Sequence, residues 1–215
     1  MRWAFPLLVL LAVPDGARAD PPAPAEVLAR VQAFYEKTSD YRASFKQVVT
    51  MKSPRRTFTR RGTVYFKRPG MMRWDYKVPD EVYYVSDGQV LWSYEVEEGV
   101  AYRIPMDRSE LFEALRFLMG AADLARDFEA VVGPAAASGL VPVRLRPRKD
   151  ERTFREVTLF VVPATGETRE TEVVDPMGHV SHLWFENPSY DPLPEARFRF
   201  TPPDGVRVQD LGATR

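Results

Sequence analysis

The 215-residue sequence contains no cysteine. That excludes disulfides, thiolate zinc sites, iron–sulfur clusters and cysteine nucleophiles. It also excludes lipid attachment to this chain, because a bacterial lipoprotein carries its acyl chains on a cysteine at the new N-terminus after signal cleavage. Histidine is nearly missing, with only His179 and His182. On a strand, positions three apart point to opposite faces, so the two would not share a metal and read as surface or turn residues. No Gly-x-Ser-x-Gly elbow, Ser-x-x-Lys pair, phosphate loop or His-Glu-x-x-His motif occurs. No carboxylate has an obvious partner at a catalytic spacing. An enzyme is therefore not expected, and neither is a metal or cofactor. An excess of either charge is missing too: 30 basic and 30 acidic side chains give a net charge of +0. A bulk nucleic-acid binder usually shows a basic excess, so nucleic acid is not an expected partner. After the N-terminus no stretch approaches 18 apolar residues, so a membrane-spanning helix is not expected.

What is present begins with a targeting signal. Met1-Arg2-Trp3 is a short basic start, Ala4 to Val13 an apolar run of ten, and Ala17-Arg18-Ala19 an A-x-A cleavage signal. This order predicts a secretory signal peptide over 1–19, cut between Ala19 and Asp20. Ten apolar residues make a helix of about 15 Å, too short for a hydrocarbon core of about 30 Å. Removing Arg2, Arg18 and Asp15 from the 30 basic and 30 acidic residues leaves 28 and 29, a net charge of about −1. Residues 20–215 are expected to form one domain. An exported chain without cysteine or anchor fits the bacterial periplasm.

The hydrophobic pattern predicts a helix from about Pro24 to Lys37, with Val27, Leu28, Val31, Phe34 and Tyr35 on one stripe and Pro24 in the first turn. From Tyr41 the period becomes two. Strands are expected over 41–51, 57–68, 72–76, 82–85, 90–96 and 100–104, with a hairpin turn at Asp87-Gly88. Ser109 to Met119 then reads as an amphipathic helix with Leu111, Phe112, Leu115 and Leu118 on its apolar face. One short turn is expected within 121–127. Strands resume at about 128–132, 141–146, 153–162, 169–174, 180–186 and 197–201. The sum is about 11 short strands with few helices. That predicts a mainly β chain whose one large antiparallel sheet curls into a barrel or half-barrel, with helices over one face or in the concavity.

Three groups of residues stand out. Arg55, Arg56, Arg60 and Arg61 cluster after the first strand, and Arg144, Arg146, Arg148 and Lys149 form a second basic group. Each is either a solvated surface or a docking patch for an acidic protein. Arg68 continues the even register of Phe58, Val64 and Phe66, where an apolar interior row would reach its mouth. It reads either as a snorkelling strand-end arginine or as a polar latch with five donors. Last, Phe45, Met51, Phe66, Met72, Trp74, Tyr76, Trp92 and Tyr94 supply many aromatic and soft side chains to alternating strands. They fill a core or line an apolar cavity, for which methionine is well suited.

The segment Lys67-Arg68-Pro69-Gly70-Met71-Met72-Arg73-Trp74-Asp75-Tyr76, followed by Pro79, resembles the signature of the outer-membrane lipoprotein carrier family, LolA. Ser86 to Tyr94 resembles the block after it, and Phe198 to Val206 the C-terminal block. Phe45 with Gln47 and Gly62 resemble the segments before it. These likenesses keep their order over nearly the whole chain after residue 19, while Met106 to Arg152 departs from the pattern. The resemblance implies an incomplete antiparallel β-barrel with a helical lid covering an apolar cavity. It implies a monomeric periplasmic chaperone that takes acylated lipoproteins from an inner-membrane lipoprotein-releasing ABC transporter to an anchored outer-membrane receptor. It makes Arg68 the lid latch and Trp74 a cavity tryptophan, with Met72 where some members carry an aromatic. With periodicity added, the expected cavity lining is Phe45, Val64, Phe66, Met72, Trp74, Tyr76, Trp92, Leu111, Phe112, Leu115 and Leu118. A periplasmic lipid-binding or envelope-assembly protein of the same fold is the alternative. An exported hydrolase with a dispersed site is a distant third.

Overall fold

Pro24 opens helix α1, Pro24–Lys37, where its missing N–H costs nothing. Val27 and Val31 are the helix's buried residues, one turn apart as the stripe requires. A computed structural model describes residues 23–105, 123–149 and 153–212. The expected signal peptide and the expected helix over 109–119, with Leu111, Phe112, Leu115 and Leu118, lie outside these residues.

Twelve strands follow α1: β1 Asp40–Met51, β2 Arg56–Lys67, β3 Met71–Val78, β4 Val82–Ser86, β5 Val90–Glu95, β6 Val100–Pro105, β7 Phe128–Val132, β8 Val141–Pro147, β9 Glu156–Val161, β10 Thr168–Val174, β11 Val180–Ser189 and β12 Arg207–Asp210. A single turn, α2 Leu124–Asp127, precedes β7 and is capped by the Asp123 carboxylate. The strands form one sheet in the order β12-β6-β5-β4-β3-β2-β1-β11-β10-β9-β8-β7. Neighbouring strands pair antiparallel, except that β12 runs parallel to β6. The sheet is an incomplete barrel: β7 and β12 remain its two edges.

Strand alternation decides which side chains share a face. Cross-strand pairing sets Phe45 opposite Phe185 and Gly62, Val64 opposite Ala43 and Trp74, and Met72 opposite Phe66 and Ser86. These residues carry one face of the sheet, and the row continues through Leu183, Thr171, Leu159 and Val143. Two buried clusters lie along it. One joins Val27 and Val31 of α1 to Val141, Val143, Leu145, Val157, Leu159 and Val161. The other gathers Phe45, Val64, Phe66, Met72, Trp74, Leu91 and Phe185.

Two glycines permit close approaches. A Cβ on Gly62 would stand 2.1 Å from the Asp75 carbonyl oxygen and 2.8 Å from the Phe45 ring. The bare backbone there lets Phe45 lie across β2, beside the irregularity between Arg61 and Gly62. Gly166 has φ 78°, and a Cβ on it would meet the backbone of Arg30 at 2.3 Å. It seats α1 directly on the turn between β9 and β10, where the Arg30 guanidinium also donates to the Pro163 carbonyl at 2.7 Å.

The end of the chain differs from expectation. Residues 197–201 are not a strand: Glu195–Phe198 form a single 3-10 turn and the chain then runs irregularly. Pro194 before it and Pro202-Pro203 after it cannot donate to a ladder. Its Phe200 packs instead on the sheet's outer face, against Trp92 and Tyr94 at 5.5 Å each. The strand that does form there, β12, is short, polar and largely exposed.

Candidate functional site

Most of the expected cavity residues come together in space. Phe45, Val64, Phe66, Met72 and Trp74 are mutually packed and buried, with Tyr76 half-buried against them. The rings meet edge to face: Phe45 and Trp74 centroids lie 5.0 Å apart, Phe45 and Tyr76 5.0 Å, Phe66 and Trp74 5.9 Å. Trp92 does not join them. It is on the opposite register of β5, pairs across to Val85 and Arg103, and packs on Phe200. Leu91 takes the inward place. Counting β5 in the even register misplaces Trp92, because the turn at Asp87-Gly88 resets the parity.

Two polar atoms of this face are buried without a hydrogen-bond partner, Gln47 Oε1 and Trp74 Nε1. Burial also holds the Tyr76 phenol above its ordinary pKa, so it stays neutral.

Arg68 lies at the seam between the two clusters. It follows β2, and its amide donates to the Ser39 carbonyl at 2.8 Å. Its guanidinium Nη2 donates to the Tyr35 carbonyl in the last turn of α1. A late helical carbonyl has no intrahelical donor, so it is a ready acceptor for a cation. The bond straps α1 to the end of β2. Beneath it runs a cleft lined by Phe34, Tyr35, Tyr41, Phe66, Met71 and Phe185 among others. Its free space is about 40 Å³. That is room for a water molecule or so, not for an acyl chain.

The cleft's rim is held by polar contacts that the sequence pattern did not reveal. The Tyr35 hydroxyl donates to Thr168 Oγ1 at 2.6 Å, tying α1 to β10. Burial raises this phenol's pKa, and likewise that of Tyr41. Asp40 opens β1 and is buried; it accepts from Lys67 Nζ at 2.9 Å, the Leu193 amide at 3.0 Å and Ser39 at 2.9 Å. Burial works to raise the Asp40 carboxyl, but these donors outweigh it and hold the pKa below the usual carboxylate value. Tyr35 carried a signal, since it lay on the apolar stripe of α1. Asp40 and Thr168 carried none: apart from Ser39 beside Asp40, their partners lie well away in sequence.

The basic groups separate. Arg144 and Arg146 both pair with Glu156, at 3.1 and 2.8 Å, and are ordinary outer-face charges. Arg55, Arg56, Arg60 and Arg61 lie in and around the exposed first half of β2, with the Arg60 guanidinium over the Tyr76 ring. His179 sits at the β10–β11 turn. His182 stacks on Trp184 at 3.9 Å on the outer face, with Glu170 Oε2 2.8 Å away. Among the described residues no group of three or more His, Asp or Glu could hold a metal ion, and no helix is long and apolar enough to cross a membrane.

These features define an open β half-barrel with an apolar, ring-lined inner face and a helix strapped over one end of it. More narrowly, the chain belongs to the family of the outer membrane lipoprotein carrier protein LolA, whose sequence pattern matches residues 36–201. It is similar to the outer-membrane lipoprotein carrier protein of Methylibium petroleiphilum, 31% identical over 211 residues, covering 97% of this chain and 98% of that one. The carrier protein of Methylobacillus flagellatus is 29% identical over 203 residues, covering 94% and 95%. An uncharacterized conserved protein of Thermus thermophilus shares the fold, with a TM-score of 0.55 at 15% identity over 86% of this chain and 98% of that one.

Proposed function

We infer that this chain is a periplasmic carrier that hides the acyl chains of lipoproteins between its sheet and its covering helices. Its route would begin at an inner-membrane ABC transporter and end at an anchored outer-membrane receptor. The observation that carries the reading is Arg68 strapping α1 across an apolar cleft that is closed as it stands. A buried acyl chain gains about 0.8 kcal/mol per CH₂. A hydrogen bond contributes about 0.5–1.5 kcal/mol net. Chains of ordinary length therefore outweigh the strap, and entry opens the cleft. Closing again restores the Arg68–Tyr35 bond and helps expel the cargo when a receptor offers its own apolar surface. Arg68 is thus the latch, and Phe45, Val64, Phe66, Met72, Trp74 and Tyr76 are the proposed wall. Leu111, Phe112, Leu115 and Leu118 are proposed to complete it from the segment expected as the lid.

The test adds the purified protein, beginning at Asp20, to spheroplasts holding labelled lipoproteins in the inner membrane. The carrier reading expects label to appear in the soluble fraction, in complex with the protein. Soluble phospholipid without lipoprotein would replace it with a lipid-binding role.

A further inference from the structure

We propose that the groove beside the cleft holds the first few residues of the cargo polypeptide, with a preference for acidic ones. The proposal rests on the carrier reading and adds a second subsite to it.

The cargo's chemistry sets the geometry. A bacterial lipoprotein is acylated on its N-terminal cysteine, so the polypeptide leaves from the same residue that bears the chains. Wherever the chains enter, the peptide must exit at that mouth. Next to the Arg68 cleft, and sharing Phe34, Thr38, Ser39 and Asp40 with it, is an open groove of about 500 Å³. That is within the usual size range of ligand sites. Arg30 and Lys37 of α1 form one wall; Ala164 and Thr165 of the β9–β10 turn and Tyr190 after β11 form the other. The cleft's surface is mostly apolar, with five rings among its lining residues, and it is closed. The groove is open, and polar side chains such as Arg30, Lys37 and Thr165 share its lining with apolar surface. The two fit the two parts of an acylated peptide.

The groove's walls are also fixed in place. Gly166 lets the turn touch the backbone of α1, and Arg30 bonds the Pro163 carbonyl. The Tyr190 hydroxyl donates to Glu167 at 2.6 Å. The shared floor is fixed by the Asp40 contacts with Lys67 and the Leu193 amide. A peptide there would meet a rigid channel rather than one that must form around it.

Charge sets the preference. Of the charges on the groove, Asp40 is buried and engaged by Lys67, and Arg30 has Glu26 at 3.5 Å. Lys37 ends α1, is exposed, and has no ion-pair partner among the described residues. The open cation favours a glutamate or aspartate a few residues after the acylated cysteine.

The probes are a diacylated cysteine amide without peptide, and two diacylated peptides carrying either two glutamates or two lysines soon after the cysteine. The expected result at low salt is about two- to fivefold tighter binding of the glutamate peptide, as for an exposed ion pair. The preference should vanish at high salt. Lys37→Glu should abolish or reverse it while leaving the diacylated amide bound as before. Because the chain has no cysteine, a single Thr165→Cys can be crosslinked to a thiol-reactive group on the third peptide residue. Thr59→Cys, eight residues along β2 from Lys67, should stay unlabelled. Equal labelling of the two sites, or an unchanged preference in Lys37→Glu, would overturn the groove. Failure of the diacylated amide itself to bind would instead overturn the carrier reading.

Discussion

The sheet carries two cores, and they are made of different side chains. Under α1, strands β8 and β9 bury mainly valine and leucine: Val143, Leu145, Leu159 and Val161 are all fully enclosed, with Phe128 and Phe154 stacked beside them. Across β1 to β3 and β11 the buried groups include four rings, Phe45, Phe66, Trp74 and Phe185, with Met72 and the half-buried Tyr41 and Tyr76 beside them. Branched aliphatics fill an interior to crystal-like density and leave few alternative packings. Rings in edge-to-face contact and a methionine can turn or shift with smaller loss. The orphaned Gln47 Oε1 and Trp74 Nε1 belong to the ring side, and the aliphatic core has no counterpart among the described residues. One half is thus a fixed scaffold for α1. The other is the proposed wall for an irregular apolar guest, and Arg68 stands at their junction.

The comparison breaks first where the scaffold is tightest. Gly166→Val should cost about 4 kcal/mol or more, since a side chain at φ 78° would enter the backbone of Arg30. Urea unfolding measures it; a cost below about 1 kcal/mol would show that α1 is not fixed to the turn.

The next test sets the halves against each other. Leu159→Ala should cost about 3–5 kcal/mol and leave binding of an acyl probe nearly unchanged. Met72→Ala should cost about 2–3 kcal/mol, the low end for a buried methionine, yet weaken the probe. Equal costs with equal effects on binding would erase the distinction.

Much of this division was legible in the sequence. The 3.6-residue stripe of α1 and the alternation of β1, β2 and β3 place Val27, Phe45, Val64 and Trp74 on the faces they occupy. Asp87-Gly88 marks its hairpin. The failures have local causes. Trp92 falls on the wrong face because parity does not carry across a turn. Residues 197–201 alternate like a strand, but the flanking prolines and the pull of Trp92 and Tyr94 take them out of the sheet. β12 is four residues without a signal of its own. The contacts of Asp40, Tyr35 and Thr168 that frame the cleft join residues over a hundred apart, or a strand to its neighbour's end, and no single-chain pattern shows them.

Smaller effects concern the seam. The Asp40 carboxyl has a folded pKa below its unfolded value. Its contribution to stability is therefore present above about pH 4, the unfolded value, and is lost as pH falls through the folded pKa. Asp40→Asn should cost about 1–3 kcal/mol at about pH 7 and flatten the loss of stability below about pH 4. An unchanged acid limb in urea titrations would show that the Lys67 and Leu193 contacts do not matter to folding. Smallest is Trp74→Phe, which loses ring area but also an unpartnered buried N–H. The two should nearly cancel, to within about 1 kcal/mol, by the same unfolding measurement. A loss of several kcal/mol would mean that the indole N–H is bonded in solution.

The latch is the central claim, and Arg68→Leu tests it most directly. Labelled lipoprotein uptake from spheroplasts and delivery to outer-membrane vesicles are followed with the same preparation of the variant and the parent. The account predicts a folded variant that loads normally, because the apolar wall is intact. It should deliver about tenfold more slowly, because the bond to the Tyr35 carbonyl that favours the empty state is gone. A variant that loads and delivers like the parent would make Arg68 an ordinary strand-end arginine and contradict the account.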